Sequence, residues 1–218
     1  MAIRLAFVHT VTSLPPVFKT LAGELIPAAD PFHIVDESLL QNTIRSGGLT
    51  KLTARRLLGY LVSAQEAGAQ AAMVTCSSMG QAVEWSRCFV DIPVYRVDEP
   101  MANLAVKTGS RIGVAATLQT TMNPTVELIR ARAAAAGKDV QVTARLCEGA
   151  FDAVIAGDTA RHDALVMEGL RELLGKSDVI VLAQASMARV VDSIPEAERR
   201  VPILSSPRLA VEYLASVL

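Results

Sequence analysis

The sequence predicts an α/β protein built from two pseudo-symmetric lobes, each with a mostly parallel sheet flanked by helices. Short apolar runs alternate with helical patterns along all 218 residues, which is typical of βαβ units. Several of these runs are continuously apolar, as expected for strands that are buried on both faces of a parallel sheet. Two segments also resemble each other, and this internal repeat indicates a first lobe of residues 1–99 with 206–218 and a second lobe of residues 100–205.

The strands are predicted where runs of three to six mostly apolar residues end in turn-forming or polar residues. A break near residues 99–101 separates the first four strands from the last four. In chain order the predicted strands are Arg4–Val8, His33–Asp36, Ala72–Thr75, Val94–Val97, Ile112–Ala116, Gln141–Leu146, Val179–Ala183 and Ile203–Ser205.

Helix boundaries are predicted from capping residues. Thr50 is a suitable N-cap for a helix that ends at Gly68. Asn123 followed by Pro124 predicts the start of a helix that ends at Gly137, because proline is favoured at the first helical position. Two further helices are predicted, one capped by Asp158 and a last one at Pro207–Leu218 that returns to the first lobe.

Composition excludes several classes of protein. The 21 basic and 22 acidic side chains nearly cancel and form no basic patch, so we expect no nucleic-acid partner. No apolar run reaches the roughly 18 residues that a membrane span requires, so we expect no membrane association. The three cysteines form neither a disulfide framework nor a metal-binding spacing, which favours a cytoplasmic protein without a metal. The Gly47-Gly48 pair fits no phosphate-binding loop, and we therefore expect no cofactor.

The repeated segments are AAMVTCSSM, from Ala71 to Met79, and VIVLAQASM, from Val179 to Met187. Each follows an amphipathic helix that ends in glycine. Each consists of an apolar strand followed by small polar residues. Aligned without a gap, the two segments pair Cys76 with Gln184, Ser77 with Ala185, Ser78 with Ser186 and Met79 with Met187.

Cys76 is the first candidate for a catalytic residue. It ends a predicted strand and precedes a predicted helix, where backbone N–H groups favour a thiolate or a bound carboxylate. Ser77 and Ser78 add hydroxyl donors at the same place. The alternative is that Cys76 is a small buried apolar residue, as free cysteine often is. Cys88 and Cys147 have no such cluster beside them and are predicted to be structural.

Other polar side chains follow the predicted strands, and ligands of parallel α/β sheets bind at the carboxyl ends of strands. His9 ends the first strand and is either a ligand or acid–base residue or a loop histidine that bonds to backbone. The threonines after the strand Ile112–Ala116 can hold a carboxylate, cap the following helix, or do both. His33 is predicted to be structural, and His162 is predicted to be exposed on a charged helix. Besides Cys76 and Gln184, the candidate site residues are His9, Thr10, Ser13, Ser77, Ser78, Thr117, Thr120, Thr121, Ala185 and Ser186.

The segments HTVTS, VTCSSMG, GVAAT and VIVLAQASM resemble the aspartate/glutamate/hydantoin racemase superfamily over nearly the whole chain. The resemblance implies two α/β lobes with the active site between them, no cofactor, and a homo-oligomer such as a dimer. It also implies two cysteines, one per lobe, that exchange protons on opposite faces of the substrate α-carbon. Cys76 falls on the first of these cysteines, and Gln184 falls on the second, or Ala185 if the alignment shifts by one residue.

An amide does not exchange a proton near neutral pH, so three functions are compatible with Gln184. The first is a racemase or isomerase that acts at the α-carbon of a small carboxylate of the amino acid or hydantoin type, with Cys76 as the acid–base group. The second is a one-cysteine decarboxylase or lyase similar to the arylmalonate decarboxylases, whose cysteine lies in the other lobe. The third is a binding protein for small carboxylates that has lost turnover.

Overall fold

The computed structural model describes residues 2–218, which separate into two units. We call residues 1–99 with 207–218 the first lobe and residues 100–206 the second lobe. Each lobe contains a four-stranded sheet in which all neighbouring strands are parallel. The predicted α/β class with mostly parallel sheets is therefore confirmed. None of the helices within residues 2–218 is both long enough and apolar enough to cross a membrane.

The sheet of the first lobe has the strand order β2-β1-β3-β4, so that β1 and β3 are its central strands. Helices connect these parallel strands, because parallel neighbours need a crossover. The elements in chain order are β1 Ile3–His9, α1 Leu14–Leu25, β2 Ala29–Val35, α2 Glu37–Arg45, α3 Lys51–Glu66, β3 Ala71–Val74, α4 Gly80–Ser86 and β4 Val94–Arg96.

The sheet of the second lobe has the order β6-β5-β7-β8, which repeats the topology of the first. The elements are α5 Glu99–Thr108, β5 Arg111–Ala116, α6 Gln119–Ala135, β6 Gln141–Leu146, α7 Ala150–Ile155, α8 Thr159–Leu174, β7 Val179–Leu182, α9 Ala188–Asp192 and β8 Ile203–Ser205. Short 3₁₀ turns lie at Ser77–Met79, Ala185–Met187 and Glu196–Glu198.

The last helix, α10 at Ser206–Val217, packs on the first lobe. Arg208 donates a hydrogen bond to Glu24 at 2.7 Å, and the ring of Tyr213 lies 5.8 Å from that of Tyr95. The predicted last helix therefore returns to the first lobe.

Most predicted helix ends are correct. Thr50 accepts a hydrogen bond from the Thr53 N–H at 3.1 Å, and Asp158 caps α8 through the Arg161 N–H at 3.0 Å. Gly68 has φ +86°, a left-handed conformation that glycine adopts without steric cost. These local signals depend on neighbours in the chain, and for that reason they can be recognised in the sequence.

Two predicted boundaries are wrong. Strand β2 begins at Ala29, not at His33, and it contains Pro31. Proline is tolerated there because β2 is an edge strand, which has a neighbouring strand on one side only. Helix α6 begins at Gln119, where Leu118 is the N-cap, so Asn123 and Pro124 lie inside the helix. Pro124 is the sixth residue of the helix, so its missing N–H costs one intrahelical hydrogen bond, the one that the Thr120 carbonyl would accept.

A buried ion pair supports the turn between β3 and α4. The Arg96 guanidinium is 8% exposed and donates two hydrogen bonds of 3.0 Å to Asp98, which is itself buried. Glu84 on α4 accepts a third bond from Arg96 at 3.4 Å. The guanidinium packs against Gly80, the first residue of α4, at the position that a Cβ atom would occupy. Glycine is therefore required at this position by the close approach of Arg96.

We expect Gly80→Ala to lower the free energy of unfolding by about 1–3 kcal/mol, since a Cβ would overlap a guanidinium that Asp98 holds in place. The matched control is Gly59→Ala in α3, where an added Cβ meets nothing within 4 Å. That variant should be stabilised by about 0.4–1 kcal/mol, because alanine restricts the unfolded chain. Urea denaturation measures both, and equal effects would contradict the role of Gly80.

Candidate functional site

Cys76 lies at the carboxyl end of β3, a central strand of the first lobe. Its backbone is extended, with φ −128° and ψ 115°, and it is the N-cap of the 3₁₀ turn Ser77–Met79 that leads into α4. The Met79 N–H closes this turn on the Cys76 carbonyl at 3.0 Å. The residue is half-buried, whereas Ser77 and Ser78 are buried. The predicted place of Cys76, between a strand and a helix, is thus correct.

The thiol of Cys76 is enclosed by hydrogen-bond donors. Burial raises the pKa of this thiol, while hydrogen bonds from the Thr10 hydroxyl, from the N–H and hydroxyl of Ser78 and from the Met79 N–H lower it. Burial has the larger effect, so the pKa of Cys76 lies above its ordinary value. The position of Cys76 between a strand and a helix favours a thiolate, but burial outweighs this effect, so the resting thiol is protonated. Its surroundings can stabilise a thiolate once the proton leaves.

The exposure of the three thiols, together with the raised pKa values of Cys76 and Cys147, predicts the order in which they are alkylated. Cys88 is exposed and should react with iodoacetamide first near pH 7.5, ahead of Cys76. Only the thiolate reacts, so labelling of Cys76 should keep rising as the pH passes its ordinary pKa of 9.0. Cys147 is buried, its pKa is raised to about 11, and it should react last. Peptide mapping by mass spectrometry reads all three, and faster labelling of Cys76 than of Cys88 at neutral pH would contradict the raised pKa.

His9 is completely buried in the first lobe, and both of its ring nitrogens are hydrogen-bonded. Its Nδ1 lies 2.8 Å from the Thr75 hydroxyl, which donates to the Val8 carbonyl, and its Nε2 lies 2.9 Å from Nδ1 of His33. Burial, together with His33, lowers the pKa of His9 to about 3, and burial also lowers the pKa of His33.

Both histidine rings are thus neutral at pH 7. The structure does not support the expected ligand or acid–base role of His9, because neither ring nitrogen is free and the ring does not reach solvent. His9 instead fixes the end of β1 immediately before Thr10, which contacts the Cys76 thiol. His33 is structural, as predicted.

Gln184 occupies the equivalent position in the second lobe. It follows β7, has the extended angles φ −131° and ψ 142°, and is the N-cap of the turn Ala185–Met187. Thr117 follows β5 as Thr10 follows β1. In the first lobe, Thr10 and Cys76 each lie two positions past the last residue pair of β1 and β3, which is Val8 with Val74. In the second lobe, Thr117 and Gln184 each lie two positions past the last residue pair of β5 and β7, which is Ala115 with Leu182. This register supports the gap-free pairing of Cys76 with Gln184.

The side chain of Gln184 binds Thr117 twice. Its Oε1 accepts the Thr117 N–H at 2.7 Å, and its Nε2 donates to the Thr117 hydroxyl oxygen at 2.7 Å. The side chain makes no capping bond to its own turn. Gln184 is therefore anchored to the end of the neighbouring strand, with its amide group half-buried.

The start of α6 presents unsatisfied polar groups. Leu118 is the N-cap and offers no side-chain capping bond to this 17-residue helix. The hydroxyl oxygen of Thr120 is buried and has no hydrogen-bond partner within residues 2–218. Thr121 is buried, and its carbonyl accepts a bond from the Thr125 hydroxyl at 2.9 Å. The partial positive charge of such a helix end, together with a free hydroxyl, suits an anion.

The remaining candidates differ in exposure. Ser13 is the exposed N-cap of α1, makes no side-chain capping bond, and is not one of the residues that donate to the Cys76 thiol. Ala185 and Ser186 are half-buried on the turn after Gln184. The structure thus assembles Thr10, Ser78 and Cys76 in the first lobe, and Thr117 with Gln184 in the second.

One further expectation is wrong. His162 is not exposed but completely buried, because it lies on the same face of α8 as Val166 and Leu170. Its Nδ1 contacts Asp163 at 2.8 Å. Of the two cysteines predicted to be structural, Cys88 is exposed, and Cys147 is buried against Gly169, where a side chain would overlap its sulfur.

A depression of about 330 Å³ lies in the second lobe between α6 and β6. Its lining residues are Gln119, Met122, Asn123, Val126, Glu127, Arg130, Ala144 and Leu146, and none of the candidate site residues is among them. Nor do residues 2–218 contain a group of three or more His, Cys, Asp and Glu side chains that is arranged to hold a metal ion.

Two sets of contacts that hold the candidate residues in place were not predicted from the sequence. The Arg96–Asp98 pair was not recognised, although an arginine and an aspartate flanking one residue at a strand end are a visible signal. The double bond of Gln184 to Thr117 was also missed, because it joins residues 67 positions apart.

The repeated parallel α/β topology and the equivalent places of Cys76 and Gln184 define a class of two-lobed α/β proteins. The comparison of the sequence with protein families identifies the class more closely. The family described as Asp/Glu/Hydantoin racemase matches residues 10–214, and the chain belongs to this family. No curated protein matches the sequence significantly.

Solved structures share the fold at low sequence identity. Glutamate racemase isoform RacE1 from Bacillus anthracis superimposes with a TM-score of 0.74 at 19% identity, covering 98% of this chain and 80% of that one. Allantoin racemase from Klebsiella pneumoniae gives 0.65 at 18% identity, covering 99% and 87%. Picrophilus torridus aspartate racemase gives 0.69 at 12% identity, covering 98% and 94%. These similarities establish the fold and leave the substrate open.

Proposed function

We propose that the protein is a cofactor-independent enzyme of the racemase type, acting at the α-carbon of a small carboxylate of the amino acid or hydantoin type. The Cys76 thiol carries the proton. The single observation that supports this assignment most is the enclosure of the Cys76 sulfur by donors from Thr10, Ser78 and Met79 at the end of a central strand. Such donors stabilise the thiolate that remains each time the proton is delivered.

The chemical step is a proton transfer. The Cys76 thiolate takes the α-proton and the C–H electron pair moves into an enolate. Return of a proton from the thiol to the same face restores the substrate, whereas inversion requires a proton delivered from solvent to the opposite face. Because the resting thiol is protonated, the base form arises only after the proton is lost to solvent. Hydrogen-bond donors that face the enolate oxygen lower the barrier, as in other enzymes that stabilise developing negative charge.

The start of α6 is a candidate anion site within the second lobe. Its N-terminus lacks a side-chain cap, and the buried Thr120 hydroxyl has no partner. A carboxylate would accept hydrogen bonds from these groups and interact favourably with the helix dipole.

A one-cysteine decarboxylase or lyase is the second candidate, and two observations favour it. The raised pKa of Cys76 means that the resting enzyme already holds the proton that an enolate needs after carbon dioxide leaves. The equivalent position in the second lobe carries Gln184, whose amide cannot serve as a second acid or base. In that reaction the C–C bond breaks, its electron pair forms the enolate, and Cys76 protonates the carbon.

Incubation in D₂O with a panel of amino acids, hydantoins and malonates tests the proposal by NMR and mass spectrometry. A racemase-type enzyme introduces deuterium at Cα of unreacted substrate, whereas a decarboxylase introduces it only into product. A pure binding protein does neither but raises its melting temperature with ligand. No deuterium in any compound of the panel would count against both enzymatic candidates.

A further inference from the structure

Strand β6 is an open edge of the second-lobe sheet. Within residues 2–218 the two sheets have four edge strands, β2, β4, β6 and β8. Strands β4 and β8 contain three residues each, and β2 contains Pro31, whereas the six residues of β6, Gln141–Leu146, include no proline. Edge strands that stay unpaired are often short or contain proline. Strand β6 has neither feature, so it is the edge best suited to pair with another strand.

The backbone groups of β6 divide between its two sides. The N–H groups of Gln141 and Cys147 donate to β5 at 2.8 and 2.7 Å. Successive residues of a strand direct their N–H and C=O groups to alternate sides, so those of Val142, Ala144 and Leu146 point away from β5. These three residues carry the hydrogen-bonding groups that a further strand would use.

Two of these residues also line a groove beside helix α6. Ala144 and Leu146 lie in the depression of about 330 Å³, opposite a stripe of α6 that includes Met122 and Val126. Ala144 is exposed, and Leu146 and Val126 are only half-buried. A strand added to β6 would extend this face of the sheet, and its side chains would fill the depression.

A second copy of β6 fits this edge in an antiparallel register centred on Ala144. In that register the two Ala144 residues exchange N–H···O bonds, and Val142 exchanges them with Leu146 of the second copy. A register centred on Arg145 would place two guanidinium groups directly opposite each other, which is destabilising. Since a two-fold axis relates the two strands, the contact closes at a dimer.

The charges around the groove are compatible with a second copy. Glu127 and Arg130 on α6 line the groove and carry one charge of each sign, so two such surfaces do not repel each other. Arg145 lies on the other face of β6, where it pairs with Glu172 at 2.9 Å. It also donates to the Leu146 carbonyl at 3.3 Å, a long bond that a backbone N–H of the second copy would replace. A strongly charged partner would gain nothing from this balanced surface.

We propose that β6 and the adjoining groove of α6 form the contact surface of a symmetric homodimer, in which two second lobes share one sheet. The occupant is a second copy because the outward residues of β6 match themselves about Ala144. The inference is independent of the proposed function, since this edge contains none of the candidate site residues.

Sedimentation velocity over a range of protein concentrations tests the dimer. Ala144→Lys places two ammonium groups beside the axis at an exposed position, so the fold should be kept and the dissociation constant should rise at least about tenfold. Ala144→Pro removes an N–H that points away from β5, so β6 should stay in its sheet while the dimer is lost. Ala67→Lys, at the exposed end of α3, is the matched control and should keep the wild-type dissociation constant.

Amide hydrogen exchange followed by NMR identifies the surface. The amides of Val142 and Leu146 should exchange at least about tenfold more slowly in the wild-type dimer than in Ala144→Lys. The amide of Thr143, which faces β5, should exchange similarly in both proteins. A monomeric wild-type protein, a dimer that both Ala144 variants leave intact, or equal exchange of Val142 and Leu146 in the two proteins would overturn the inference. Open-ended assemblies that Ala144→Lys dissolves would also overturn it, because a two-fold contact closes.

Discussion

Replacing Cys76 by serine is expected to lower the rate of Cα proton exchange by a factor of about 10² to 10⁴, the usual contribution of a positioned acid–base group. Serine preserves the size of the side chain and can accept hydrogen bonds from Thr10, Ser78 and Met79, so the turn should remain folded. Its hydroxyl is far less acidic than a thiol and cannot carry the proton. Exchange in D₂O with the most reactive compound of the panel measures the effect.

The matched control is Cys88→Ser, since Cys88 is an exposed thiol of the same lobe. This variant should exchange at the wild-type rate. If both variants retain full exchange, Cys76 is not the proton carrier, and the proposed function loses the observation that supports it most.

The second large effect is expected for Asp98→Ala, which should lower the free energy of unfolding by about 3–5 kcal/mol. The substitution leaves the buried Arg96 guanidinium without its two 3.0 Å partners, and only Glu84 remains, at 3.4 Å. Removing one member of a buried pair is costly because the other charge stays in a poorly solvated site. Chemical denaturation measures the loss.

Glu24→Ala is the control for a surface ion pair. Glu24 and Arg208 are 49% and 53% exposed, and such pairs contribute about 0–1 kcal/mol. A similar small loss in Asp98→Ala would show that Arg96 finds other partners or solvent. Because Arg96 packs on Gly80 just after the Cys76 turn, the Asp98 variant should also speed alkylation of Cys76 at pH 7.5.

The features that the sequence predicts correctly are encoded locally. Continuous apolar runs indicate buried parallel strands, and Thr50 and Asp158 cap helices through bonds to N–H groups three residues ahead. The repeat of the two turns was also visible, because Cys76 and Gln184 end the same kind of strand and begin the same kind of turn.

The failures have two different causes. Some errors concern signals that the sequence contains. His162 was predicted to be exposed, but it lies four residues before Val166 on the buried face of α8, and this spacing outweighs its charged neighbours. The start of α6 was misplaced because an Asn-Pro pair is typical of a helix start but is also tolerated in the second turn.

Other properties depend on long-range packing. The raised pKa of Cys76 results from the enclosure of its thiol, which no local pattern encodes. The bond between Gln184 and Thr117 requires the register of β5 against β7. From the sequence, therefore, the equivalent places of Cys76 and Gln184 at strand ends are accessible, whereas their protonation and partners are not.

The central claim is that one thiol exchanges protons on one face of the substrate and that Gln184 contributes none. It is tested most directly with one pure enantiomer of an exchanging substrate in D₂O, following the loss of Cα–H by NMR and the enantiomer ratio by chiral chromatography. A single thiol returns deuterium to the face from which it took the proton, so exchange should exceed inversion by at least about tenfold. Inversion that keeps pace with exchange in the wild-type protein would contradict the claim and require a second proton donor.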